Sequence, residues 1–413
     1  MSLLIPLIVI GGGGFVLCTV LALRLPAGES RWLIRWLTIA LFLRLGLATG
    51  FELVREARIY HDDADGYEIV GMAMADGWRD LRPPIDMTLD KPHNYGYFYV
   101  AGAVYYVLGN QPMAAAAFNA LLGTLLVLLA YLQTRMVFHP AVARRTVQLT
   151  ALFPSLVLWS AIASKDTAVT FLVSLAVYSC MRLKERFSLP SLLGIVVSLA
   201  AVWPIRYYML YFAAMALLGA MVVAPGLRAA TGFVKQAVTA GALALVLVVV
   251  GVAGSAQESA SGLTLERAAG YRAGMARGAE SGFGRGADTS TAGGALGFLP
   301  LGMAVLLFGP FPWQFTSARS VAALPELLIW WSFVPALWAG LRFAVRWRFD
   351  RVSPMVLFAA LLTPAYALVA GNVGTAFRMR AQIVIYLLAF VAVGQFLARC
   401  RKTGVDPRRM LTP

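Results

Sequence analysis

Tyr60-His61-Asp62-Asp63-Ala64-Asp65-Gly66-Tyr67-Glu68 stands directly after an apolar run at 32–52 and puts three aspartates within four positions. The chain holds only 20 acidic residues in 413, so such a cluster needs a physical reason. Adjacent carboxylates repel one another, and at a membrane edge they lose part of their hydration. Sites that abstract protons, hold cations or recognise sugar hydroxyls collect groups of this kind. A solvated acidic loop is the plain alternative.

Outward from that stretch the chain is apolar, with 60% hydrophobic residues and a mean hydropathy of +0.73. A run of about 20 apolar residues crosses the hydrocarbon core of a bilayer. Runs of this kind fall at 2–23, 32–52, 113–134, 146–162, 167–183, 189–205, 207–225, 233–254, 325–343, 354–371 and 377–398. They predict an all-α polytopic membrane protein of about eleven transmembrane helices. The shorter stretches 97–109 and 296–309 read as interfacial or re-entrant helices. The first run is longer than a signal-peptide core and has no basic segment before it, so it is expected to remain in the mature protein.

The basic residues orient the chain. With eleven spans, one face collects 20 of the 35 Lys and Arg, among them Arg342, Arg346, Arg348 and Arg351 and the tail after 398, against four acids. That face is expected to be cytoplasmic, with the N-terminus outside and the C-terminus inside, in a bacterial-type inner membrane. The net +15 thus reflects topology and contact with anionic lipid, and excludes a nucleic-acid partner. The chain reads as one integral membrane domain, 1–413. Its parts are an external loop at 53–111 with the acidic motif, a second external loop at 255–324 with a candidate lid and a re-entrant helix, and a basic cytoplasmic tail at 399–413. Within the second loop, Ser281-Gly282-Phe283-Gly284-Arg285-Gly286 has linker composition. There is no internal repeat of the kind that builds many transporters.

Cys18, Cys180 and Cys400 are scattered, and His61, His93 and His139 lack metal-site spacing. A divalent cation would find carboxylates at 62–65. A catalytic base needs none, so no metal and no cofactor is assigned. Arg44 falls within a span and is expected to face the bundle and pair with polar groups.

Asp63-Ala64-Asp65-Gly66-Tyr67, with Ala73-Met74-Ala75-Asp76-Gly77-Trp78 after it, resembles the first external loop of GT-C glycosyltransferases. More narrowly, it is similar to the family-39-type, protein-mannosyltransferase-like membrane enzymes. Lys91-Pro92-His93-Asn94-Tyr95-Gly96-Tyr97, Phe118-Asn119-Ala120-Leu121-Leu122-Gly123, the segment from Phe153-Pro154 to Ser160, and Ser164-Lys165-Asp166-Thr167 continue the likeness in order. It covers 62–186, with looser echoes at Gly309-Pro310-Phe311-Pro312-Trp313 and 371–380. The sequence departs from the pattern in an extra helix before the acidic loop and in Lys165-Asp166, where Ser-Glu is common.

The resemblance implies a sugar donor on a polyprenyl phosphate, used at the external face. The acceptor would be a hydroxyl of a glycan, lipid or protein. Asp63 takes the position of the general base, with Asp65 as the second candidate and Asp62 and Tyr67 as sugar contacts. A carboxylate suits an oxocarbenium-like transition state. The leaving phosphate calls for cations, for which Arg55, Arg58, Lys91, Lys165, Arg206, Arg378 and Arg380 are candidates. For Arg206, Arg378 and Arg380, interfacial anchoring is an equal reading. For Lys165 and Asp166, a local ion pair is the other reading. Three further classes stay open: an O-antigen-type polymerase or ligase working through the arginines of the second loop, a lipid or sugar transporter or flippase, and a non-enzymatic scaffold in envelope assembly.

Overall fold

The computed structural model describes residues 4–54, 63–82, 94–111, 113–223, 241, 264–315 and 321–410. Among them every regular element is helical, with an isolated bridge between Gly282 and Asn372. This is the form lipid imposes, since a helix satisfies its own backbone hydrogen bonds. The chain is a multi-pass membrane protein. Among the described residues six helices are long and apolar enough to cross a bilayer, and the full count of eleven expected spans is not reproduced at that length. The expected span 233–254 lies outside the described residues.

By internal contacts the chain forms two compact units. The first contains residues 1–133, 143–175 and 201–209. It opens with α1 (Leu4–Leu23) and α2 (Ala27–Leu53), packed side by side through Leu33, Leu37, Ala40 and Cys18. The acidic stretch opens α3 (Asp63–Arg79), which packs along α4 (Gly96–Leu108). At 13 residues α4 is short, as expected for an interfacial helix. Next comes α5 (Ala114–Val137), which continues into the second unit.

The expected span 146–162 is broken in two, as α6 (Pro140–Leu152) and α7 (Pro154–Ser160). Pro154 supplies no N–H, so the carbonyl four residues back, at Thr150, loses its helical donor. Arg44 of α2 replaces it. Its guanidinium donates to the carbonyls of Thr150 (3.4 Å) and Ala151 (3.2 Å) and to Ser160 Oγ (2.9 Å). Arg44 is 1% exposed, and the structural role expected for it is the one it fills. Gly123 of α5 faces this point. A Cβ there would overlap Ser160 and come within 2.9 Å of Arg44 Nε, so only glycine leaves room for the bridge.

The second unit contains residues 134–142, 176–200 and 210–413. The end of α8 (Lys165–Glu185), most of α9 (Leu189–Ile205) and nearly all of α10 (Tyr207–Val223) belong to it. Then follow α11 (Leu265–Arg277), α12 (Ala292–Phe308), α13 (Leu324–Val369) and α14 (Val373–Thr403). The 46-residue α13 is two helices joined at Arg348, where the backbone leaves helical geometry (φ −146°, ψ 29°). This corresponds to the two expected spans 325–343 and 354–371. α13 and α14 cross at Gly340 and Gly394. A Cβ on either would overlap a carbonyl of the other helix, so the small residues set the closeness of the crossing.

The linker-like segment 281–286 is ordered. Phe283 N–H donates to Gly371 O (3.0 Å) and Val373 N–H to Ser281 O (3.1 Å), which ties the loop to the start of α14. Arg272 of α11 is 1% exposed. It donates to Gly284 O (2.9 Å), Ala287 O and Thr289 Oγ1 (3.3 Å) and lies over the Phe298 ring. Composition alone, rich in Gly and Ala, hid this arginine-centred order.

Candidate functional site

Asp63 and Asp65 occupy the first turn of α3. The unpaired N–H groups of a helix start carry partial positive charge and favour ionised carboxylates there. Arg55, Arg58, Asp62 and Lys91 lie outside the described residues, and so does the side chain of Asp63. Asp65 is half-buried.

Tyr67, one turn further on, is 4% exposed. Its ring meets Tyr97 edge-on (centroids 4.7 Å, 80°) and lies 4.7 Å from Phe98. Expected as a sugar contact, Tyr67 in this geometry pins the start of α3 onto the start of α4. Tyr97 is itself 1% exposed and lies within electrostatic range of the Asp166 carboxylate.

Asn119 of α5 forms the next link. Its side-chain NH₂ donates to the carbonyls of Ile162 (2.7 Å) and Ser164 (2.8 Å), holding the turn between α7 and α8. Thr167 Oγ1 fixes the same turn from the other side through Trp159 O (2.9 Å). The turn delivers Lys165, half-buried, and Asp166, 3% exposed, at the head of α8. Asp166 accepts from Arg206 Nη2 at 2.7 Å, with both side chains 4% exposed. Arg206 follows Pro204, near the end of α9, and its guanidinium also lies 5.8 Å from the Tyr208 ring. The first unit thus gathers Asp63, Asp65, Tyr67, Lys165, Asp166 and Arg206.

Arg378 and Arg380 belong to the second unit, at the start of α14. Arg380 is fully buried. It donates to Glu326 Oε1 (2.9 Å) and Gly309 O (2.9 Å), tying α14 to α12 and the head of α13, and it stacks on Phe377. Arg378, half-buried, is the more accessible of the two. Sequence reasoning missed Glu326. An acid in the first turn of an apolar helix, facing a late arginine, was the signal available.

In the segment between α11 and α12, Asp288 Oδ1 accepts from both Ser290 N–H (2.9 Å) and Ser290 Oγ (2.6 Å). These two donors hold its carboxyl below the usual aspartate range.

The helical fold is GT-C-like by comparison with known proteins. Residues 90–252 match the family model of dolichyl-phosphate-mannose-protein mannosyltransferases. The apo oligosaccharyltransferase of Archaeoglobus fulgidus superposes with a TM-score of 0.50 at 14% identity, over 92% of this chain and 52% of that one. The archaeal oligosaccharyltransferase AglB from Archaeoglobus fulgidus, in complex with an inhibitory peptide and a dolichol-phosphate, gives 0.46 at 13% identity over 84% and 49%. The chain spans about half the length of these structures. No curated protein matches it.

Proposed function

We propose that the protein is a membrane glycosyltransferase that moves a sugar from a polyprenyl-phosphate donor to an acceptor hydroxyl, with inversion, on the external face of the membrane. The observation that carries the proposal is the first turn of α3, where Asp63 and Asp65 meet a helix start that Tyr67 locks onto α4. That α4 lies within the stretch matching dolichyl-phosphate-mannose-dependent enzymes supports the donor class.

In this mechanism the Asp63 carboxylate takes the proton of the acceptor hydroxyl. The acceptor oxygen forms the new bond to the anomeric carbon as the bond to the phosphate oxygen breaks. Polyprenyl phosphate leaves with that electron pair, and its charge is met by cations. Lys165 and Arg206 serve in the first unit, with Asp166 orienting the Arg206 guanidinium. Asp65 and Tyr67 shape the entrance to the sugar site. Arg378 is the better candidate of the second unit, because Arg380 is engaged with Glu326. No metal is required by this scheme. The basic loops and tail are cytoplasmic, the N-terminus is external, and the membrane is of the bacterial inner type.

This reading is favoured over a polymerase or ligase working through the second loop, because two of the arginines there, Arg272 and Arg285, have structural work. Arg272 binds loop carbonyls, and Arg285 donates to Ala276 O (3.2 Å) and Ala279 O (3.1 Å). The direct test is transfer by the purified full chain from defined polyprenyl-phosphate sugars. Release of free polyprenyl phosphate with a new glycosidic product is expected. Movement of intact donor across a vesicle membrane without bond cleavage would overturn the proposal in favour of a flippase.

A further inference from the structure

A cavity of about 270 Å³ opens in the second unit among Met136, Met181, Lys184, Glu185, Asp350 and Arg351. Its lining belongs to the second unit alone, and the scheme above gives it no role. Its chemistry is unusual for the edge of an apolar bundle, with two cations and two carboxylates around a small methionine-floored space.

The charges are ordered by depth. α8 runs out of its apolar stretch through Lys184 and ends on Glu185. The second half of α13 enters its apolar stretch through Asp350 and then Arg351. In both helices the cation is one residue, about 1.5 Å, nearer the apolar interior than the carboxylate. Exposure follows the same order. Glu185 and Asp350 are exposed, while Lys184 and Arg351 are partly buried. Lys184 Nζ is fixed at depth by donating to Ala220 O (2.7 Å) and Ser353 Oγ (2.8 Å). Arg351 is anchored by donating to Met136 O (3.2 Å), and it stands 3.7 Å from Glu185, beyond a good charge-assisted hydrogen bond.

A ligand complementary to this arrangement carries its anion on the membrane side and its cation on the water side. An aminophospholipid of the adjoining leaflet has that polarity, with phosphate next to the glycerol and a primary ammonium outermost. The geometry points to this cavity as a binding site for a phosphatidylethanolamine-type headgroup. The phosphate is met by Arg351 and Lys184, and the ammonium donates to Glu185 and Asp350. A choline headgroup has no N–H to donate, and a glycerol headgroup brings no cation for the carboxylates. The site is independent of sugar transfer.

The test uses the delipidated full chain in detergent, titrated with short-chain phosphatidylethanolamine, phosphatidylcholine or phosphatidylglycerol and read by native mass spectrometry. Phosphatidylethanolamine is expected to bind at least about tenfold tighter than the other two, and Arg351→Gln to weaken it by a similar factor. Glu185→Gln, at an exposed position where folding is not at stake, is expected to abolish the preference for phosphatidylethanolamine over phosphatidylglycerol. Equal binding of the three lipids, or an unchanged preference in Glu185→Gln, would overturn the assignment. Soluble phosphoethanolamine binding as tightly as the lipid would replace it with a site for a soluble ligand.

Discussion

Asp166 and Arg206 stand forty residues apart in the chain and meet at 2.7 Å with both side chains 4% exposed. A pair this deep gains strongly from mutual attraction but has lost its hydration, so its net contribution is smaller than the cost of breaking it. Arg206→Ala leaves a buried carboxylate without its partner and is expected to destabilise the protein by about 3–5 kcal/mol. Asp166→Asn combined with Arg206→Gln should cost less than the two single changes added together. Denaturant unfolding in detergent measures this. A normal stability for Arg206→Ala, with only donor affinity lowered, would leave Arg206 its phosphate contact and remove its role as a strut.

Asp63→Asn keeps size and hydrogen bonding but removes the base. Transfer should fall by roughly 10²–10⁴-fold, with folding and donor binding little changed. A near-normal Asp63→Asn beside an inactive Asp65→Asn would move the base two residues along α3.

Arg44→Leu leaves the Thr150 carbonyl without a donor in an apolar setting, at a cost of about 1–3 kcal/mol. Pro154→Ala, added to it, restores an N–H four residues on and should recover part of that loss. A thermal melt that shows no recovery would mean that the break at Pro154 is held by packing alone.

The lowered pKa of Asp288 gives a pH dependence of defined sign. A carboxyl held below its unfolded value of about 3.9 contributes loop stability above that pH. The contribution is lost as pH falls through the folded value. Ser290→Ala removes both the hydroxyl donor and the geometry it supports, so the Asp288 titration, followed by carboxyl ¹³C NMR, should move back up. An unmoved midpoint would assign the shift to another group.

Topology is checked by single cysteines in a background lacking Cys18, Cys180 and Cys400. Ser281→Cys should react with an impermeant reagent from outside, whereas Arg346→Cys and Arg408→Cys should react only after permeabilisation. External labelling at 346 would invert the orientation and remove the external site.

Cation placement also decides the arginines of α14. Arg380 carries three roles at once, pairing with Glu326, donating to Gly309 O and stacking on Phe377. Its replacement by alanine should lower stability more than donor affinity, whereas Arg378→Ala should do the reverse if Arg378 meets the donor phosphate, by about 1.5–3 kcal/mol of affinity. A polyprenyl-phosphate analogue titrated against both variants separates the two.

The sequence by itself determined that this is a helical membrane protein, because apolar run length is a local property and lipid leaves helices as the form such runs take. It also located the acidic cluster, as part of a loop and not as the helix start that the structure makes of it, and a structural Arg44, since a rare charge in an apolar setting is visible without coordinates. What the tertiary structure alone decided were partners. Asp166 adjoins Lys165 in sequence, but a carboxylate at the head of α8 meets whichever cation the next helix ends deliver, and that is Arg206. Ser281–Gly286 reads as linker because Gly and Ala carry no pattern, and it is ordered because Arg272 of α11 donates to Gly284 O within it and to Ala287 O just beyond it, while its backbone bonds to Gly371 and Val373. Hydropathy is summed along the chain, whereas a hydrogen bond is satisfied by proximity in space, and residues such as 44 and 150 or 166 and 206 are brought near one another only by folding.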